Sequence, residues 1–123
     1  MTEMRRLLQL ATLTAAGVVP AAALSHAFLD AAAPLVGGTI SGPPKEIRLT
    51  FTEAIEPRFS GIDLTTGDGR SITTGAAAVD PGNDKQLVLA LPPLSPGRYR
   101  VRWHVVSVDT HRTEGEYGFT IEP

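Results

Sequence analysis

The sequence contains no cysteine, and that single absence removes several kinds of chemistry at once. Thiolate zinc sites, cysteine nucleophiles, disulfide frameworks and blue-copper centres all need a sulfur that is not there. Methionine is nearly as scarce, its two copies being Met1 and Met4. Any metal held by the chain beyond them is therefore held by nitrogen and oxygen. A large excess of either charge is also missing: 11 basic and 13 acidic residues leave a net charge of −2. That balance argues against nucleic acid or anionic lipid as a partner. Beyond residue 25 there is no convincing 3.6-residue apolar period, no internal repeat and no linker. Neither a Ser–His–Asp set nor a pair of glycosidase carboxylates is defensible. Gly67-Asp68-Gly69 has no helix behind it, so it is a hairpin turn and not a phosphate loop.

What is present begins with a leader pattern. Arg5 and Arg6 precede an almost uncharged run, Leu7–Leu24, which closes on Ala21-Ala22-Ala23-Leu24-Ser25. A basic start, an apolar middle and small residues at −3 and −1 (Ala23 and Ser25) are the features of a cleaved secretory signal. Leu7–Val19 is broken by Pro20 and falls short of the roughly 20 residues that span a bilayer. The expected division is a signal peptide over 1–25 and one exported domain over 26–123. Two arginines do not decide between the general and the twin-arginine route. Removing Arg5, Arg6 and Glu3 leaves 9 basic and 12 acidic residues among the remaining 98, enough for one small core.

The remainder reads as short strands separated by turns. Glu46–Thr52 places Ile47, Leu49 and Phe51 on one face; Ser60–Thr65 continues through Ile62 and Leu64. Thr66-Gly67-Asp68-Gly69 is a turn leading to a short strand at Arg70–Thr73. Gln86–Leu91 alternates Leu87, Leu89 and Leu91, and Arg98–Val108 is the longest expected strand. Glu114–Ile121 ends with Tyr117, Phe119 and Ile121 in phase. Period-2 patterning with regular turn signals predicts an all-β sandwich or barrel. Tyr99, Tyr117 and Trp103 are read as core residues, and Glu114 and Glu116 as solvated.

The chain has three histidines: His26, His104 and His111. Cleavage after Ser25 makes His26 the N-terminus, so one residue offers both an α-amine and a ring nitrogen to an ion. The amine's ordinary pKa near 8 makes its deprotonation inexpensive at neutral pH. Asp109-Thr110-His111 supplies the rest. If that segment is extended, Asp109 and His111 share a face with Thr110 opposite. Three nitrogens and one oxygen suit Cu(II), whereas a terminal chelate strains the tetrahedral preference of zinc. His104 has the opposite strand parity to Asp109 and is read as a surface residue. A histidine near a cleavage point and a D-x-H triplet each have an ordinary surface explanation. Their joint occurrence in one exported β-domain carries the metal reading.

A run of landmarks in order resembles the CopC/PcoC family of periplasmic copper-resistance proteins. It includes His26-Ala27-Phe28-Leu29, Pro34, Ile47-Arg48-Leu49-Thr50-Phe51-Thr52-Glu53 and Leu94-Ser95-Pro96-Gly97-Arg98-Tyr99. It ends in Val101–His111, followed by Gly115 and Phe119. The resemblance implies a Greek-key β-sandwich of immunoglobulin- or cupredoxin-like form. It also implies one Cu(II) per chain, held by His26, Asp109 and His111, with Glu53 as an axial or neighbouring candidate. The expected function is non-catalytic: a monomer that buffers copper or passes it to an inner-membrane transporter or another periplasmic copper protein. Two departures stand out: the methionine-rich loop of some members is missing, and Thr110 replaces the usual glycine of D-G-H. The alternatives are a copper-dependent enzyme of monooxygenase type and a metal-free exported sandwich.

Overall fold

The computed structural model describes residues 27–123. The leader and His26 lie outside them. Eight strands form two four-stranded sheets. In chain order they are β1 (Leu29–Ala33), β2 (Thr39–Ile40), β3 (Glu46–Phe51) and β4 (Gly61–Thr66), then β5 (Ala78–Asp80), β6 (Asn83–Ala90), β7 (Gly97–Val106) and β8 (Arg112–Ile121). One sheet has the order β1-β3-β6-β5, the other β2-β8-β7-β4. All pairs are antiparallel except β2 with β8. Among the described residues there is no α-helix, and the only helical turn is a 3-10 turn at Pro57–Phe59. The fold is the all-β sandwich that the alternation predicts, in the Greek-key form that the resemblance implies.

Alternation explains the core. Ile47, Leu49 and Phe51 of β3 and Leu87 and Leu89 of β6 face inward from one sheet. Tyr99, Val101, Trp103 and Val105 of β7, with Tyr117, Phe119 and Ile121 of β8, face them from the other. Each fully buried large apolar side chain contributes about 1.5–3 kcal/mol. Phe51 meets Trp103 edge-on across the sheets, with centroids 5.1 Å apart. Both tyrosines satisfy their hydroxyls on backbone oxygens: Tyr99 donates to Ser95 at 2.6 Å and Tyr117 to Pro34 at 3.0 Å. Burial pushes the Tyr117 phenol up to about 12.

Several expectations are corrected. Arg98–Val108 does not run as one strand to Val108: β7 stops at Val106, and residues 107–110 form a turn. Arg70–Thr73 is not a strand; Ser71 makes only an isolated bridge to Thr65. Alternation there is too short to compete with the tight turn at Gly69, whose φ of 93° suits glycine alone. The strands β1, β2 and β5 had no apolar alternation to reveal them.

Gly115 carries a packing constraint. A Cβ built there lies 2.6 Å from Trp103 Cζ2 on the neighbouring strand, so the indole rests directly on glycine backbone. Gly115→Ala is expected to cost about 1–3 kcal/mol through overpacking and to shift the emission of the single tryptophan. Urea unfolding followed by fluorescence checks both; unchanged stability and emission would contradict this packing.

Candidate metal centre

The β7–β8 pair runs in unbroken register from Gly97↔Ile121 to Val106↔Arg112. Its alternation ends where Ser107-Val108-Asp109-Thr110-His111 replaces strand-forming residues with turn formers. Thr110 N–H donates to Ser107 O at 2.8 Å, and Ser107 N–H donates to His111 O at 2.9 Å, closing the turn. Thr110 has φ +72°, a left-handed conformation in which glycine is strain-free. Asp109 and His111 are thus not brought together by strand alternation, as the sequence suggested. A turn folds them onto each other, with Thr110 at the position where glycine belongs.

Within that turn Asp109 is the most connected side chain. Its Oδ1 accepts from the Ser107 hydroxyl and from His111 N–H at 3.3 Å. Its Oδ2 lies 3.1 Å from His111 Nδ1. The Ser107 bond, then the His111 contact, hold the Asp109 carboxyl down to about 2. The two side chains are 41% and 47% exposed, so solvent reaches both. An anionic oxygen beside an imidazole nitrogen is a ready pair of donors for a divalent ion.

Two other segments converge on this end of the sandwich. The bend after β3 runs alongside the turn: Val108 N–H donates to Ala54 O at 3.1 Å and Glu56 N–H to Val106 O at 2.7 Å, while Ile55 bridges Ser107. The start of the described chain is tied in as well. Ala27 is fully buried, and its carbonyl accepts from Thr113 Oγ1 at 2.6 Å. Thr113 is two residues beyond His111. Phe28 N–H donates to Thr52 Oγ1 and Thr52 N–H to Phe28 O, each at 2.9 Å. Ala27 therefore sits beside the start of β8, and Phe28 beside the residue that precedes Glu53.

Of the expected ligands, the structure brings Asp109 and His111 together. His26 is outside the described residues. Glu53 is half-buried in the bend. Among the described residues no three His, Asp or Glu side chains gather in metal-binding fashion, so Glu53 does not form such a group with the pair. His104 lies on the outer sheet face with its ring against Gly61, where a Cβ would approach Cε1 to 2.8 Å. Its register partner on β8 is Glu114, four residues short of Gly118 and on the far side of Arg112 from the turn. Trp103 is buried in the core. The residue that pattern reading overlooked is Ser107; its place two positions before Asp109, in a sequence of turn formers, was the available signal.

Comparison with known proteins agrees with this architecture. Residues 29–122 match the family described as CopC domain. Protein YobA of Escherichia coli (strain K12) is 39% identical over 114 residues, spanning 92% of this chain and 91% of that protein. The crystal structure of CopC from Methylosinus trichosporium OB3b aligns with a TM-score of 0.76 and 33% identity, covering 80% of this chain and 95% of that one. The structure of PcoC, a methionine-rich copper resistance protein from Escherichia coli, aligns with a TM-score of 0.67 and 34% identity, over 80% of this chain and all of that one.

Two outcomes are expected of the metal-free turn. Thr110→Gly should stabilise by about 1 kcal/mol, because relief of left-handed strain outweighs the greater freedom of glycine when unfolded; denaturant midpoints check this. The depressed Asp109 carboxyl adds stability that is complete above about pH 4 and lost as pH falls through about 2. The difference in unfolding midpoint between wild type and Asp109→Asn should therefore be constant well above pH 4 and narrow steeply between pH 4 and pH 2. A gap as large at pH 2 as at neutral pH would contradict the bonding described.

Proposed function

The chain belongs to the CopC/PcoC family, and from that premise we propose that it is an exported copper-binding protein holding one Cu(II) ion. The donors are the α-amine and ring of His26, freed by cleavage after Ser25, with the Asp109 carboxylate and the His111 imidazole. Glu53 is a further donor candidate from the bend beside them. The leading support is the side-by-side placement of Asp109 and His111 in a turn. The carbonyl of Ala27, the residue next to His26, is bonded only two positions beyond His111.

The chemistry of the donor set favours Cu(II). Sulfur is missing after Met4, which disfavours Cu(I), and a mixed nitrogen–oxygen set matches the preference of Cu(II). Copper is cargo in this reading. The protein buffers it in the periplasm or hands it to a membrane transporter or another copper protein. Enzymatic use of the metal is disfavoured, since an oxygen-activating centre needs an open coordination position and the Asp109 carboxylate would fill one.

His111→Ala should weaken Cu(II) binding by about a thousandfold, or about 4 kcal/mol, in a competition titration. One residue added ahead of His26 should weaken it comparably, because the amine becomes an amide. His104→Ala should leave the affinity unchanged. Wild-type affinity in the extended protein would remove the terminal chelate from the account. A large loss in His104→Ala would move the site to the outer sheet face.

A further inference from the structure

Ser107 is the single polar residue among the buried ones of the described chain, 1% exposed. A buried hydroxyl costs stability unless it is bonded, and an alanine there would bury no such group. Ser107 has two acceptors within reach: Asp109 Oδ1, and His111 O at 3.2 Å. Its one hydrogen serves one of them at a time. The His111 carbonyl already accepts the Ser107 backbone N–H at 2.9 Å, and the anionic carboxylate is the stronger acceptor of the two, so the hydroxyl donates to Asp109.

With Oδ1 taken by Ser107 Oγ and by His111 N–H, the plane of the carboxylate is set and Oδ2 is turned toward His111 Nδ1. The serine is itself fixed. Its backbone belongs to the bridge with Ile55, and the flanking Val106 and Val108 are bonded to Glu56 and Ala54. We propose that Ser107 is the positioning residue of the copper centre, orienting the Asp109 carboxylate toward His111 before any ion arrives. This inference rests on the Cu(II) reading above. Its physical basis is preorganisation: a donor already held in place loses less freedom on binding. Outer partners of metal ligands typically matter tenfold to a hundredfold in affinity.

The test compares the processed wild-type protein with Ser107→Ala and Ser107→Thr. The second variant keeps the hydroxyl and adds one buried methyl, and circular dichroism checks that it folds as the wild type does. Copper affinity is read by competition titration, and ligand geometry by the Cu(II) electron paramagnetic resonance spectrum. Ser107→Ala should lose about tenfold to a hundredfold in affinity and show an altered or heterogeneous spectrum, and Ser107→Thr should restore both. Wild-type affinity and spectrum in Ser107→Ala would overturn the assignment while leaving the copper reading intact. Equal losses in the two variants would overturn it as well. A wild type without Cu(II) affinity would remove the copper reading and this inference together. If Ser107→Ala does not fold, the metal-free wild type decides by proton magnetic resonance. A slowly exchanging Ser107 hydroxyl proton is expected, and rapid exchange of it with water would overturn the assignment.

Discussion

Ten consecutive residue pairs, from Gly97↔Ile121 to Val106↔Arg112, lock β7 against β8, and the positions of Asp109 and His111 follow from where that register stops. Inward-facing Tyr99, Val101, Trp103 and Val105 cannot slip by one residue without exposing the whole core face. The strand pair therefore ends at one place, and five residues must reverse the chain between Val106 and Arg112. Ser107, Asp109 and His111 occupy alternate positions of that reversal. The bend after β3 braces it from one side, and Ala27 is tied to β8 just beyond it. The site is in this sense a product of core packing.

Strands with apolar residues at every second position were legible in the sequence: β3, β4, β6, β7 and β8 all show it, and each lies within a few residues of its expected span. The others were not, for a physical reason. β1 reads Leu-Asp-Ala-Ala-Ala, and its extended form comes from pairing with β3, not from its own side chains. The two-residue β2 and the three-residue β5 are too short to carry a period. The D-x-H triplet was legible as a candidate donor pair, but its geometry was not. Period-2 reasoning treated the triplet as strand, although Ser107, Asp109 and Thr110 are all turn formers. The glycine usual at this position in the family was the sign of a turn, and Thr110 argued against one; its φ of +72° shows that the turn is kept without it. Ser107 escaped because burial of a small polar residue cannot be read from alternation alone.

The proposed donor pair would form a metal centre without a deep cavity. Asp109 and His111 are each partly exposed, yet the carboxylate is bonded on one oxygen by two donors of the turn itself. Rigidity here comes from hydrogen bonds anchored in two braced strands. An end-group chelate is the complementary device in the proposed centre: a single residue contributes two donors, and proteolysis supplies one of them. Lacking sulfur, such a centre is suited to the oxidised form of copper.

In the proposed centre the new N-terminus and the β7–β8 turn share one copper ion. An anomalous difference map at the copper edge, from crystals of the processed protein loaded with Cu(II), tests it most directly. A single strong peak per chain is expected, bonded to His26, Asp109 and His111. A peak on the outer sheet face at His104, or one at the turn with the ring and amine of His26 remote from it, would rule out the shared site.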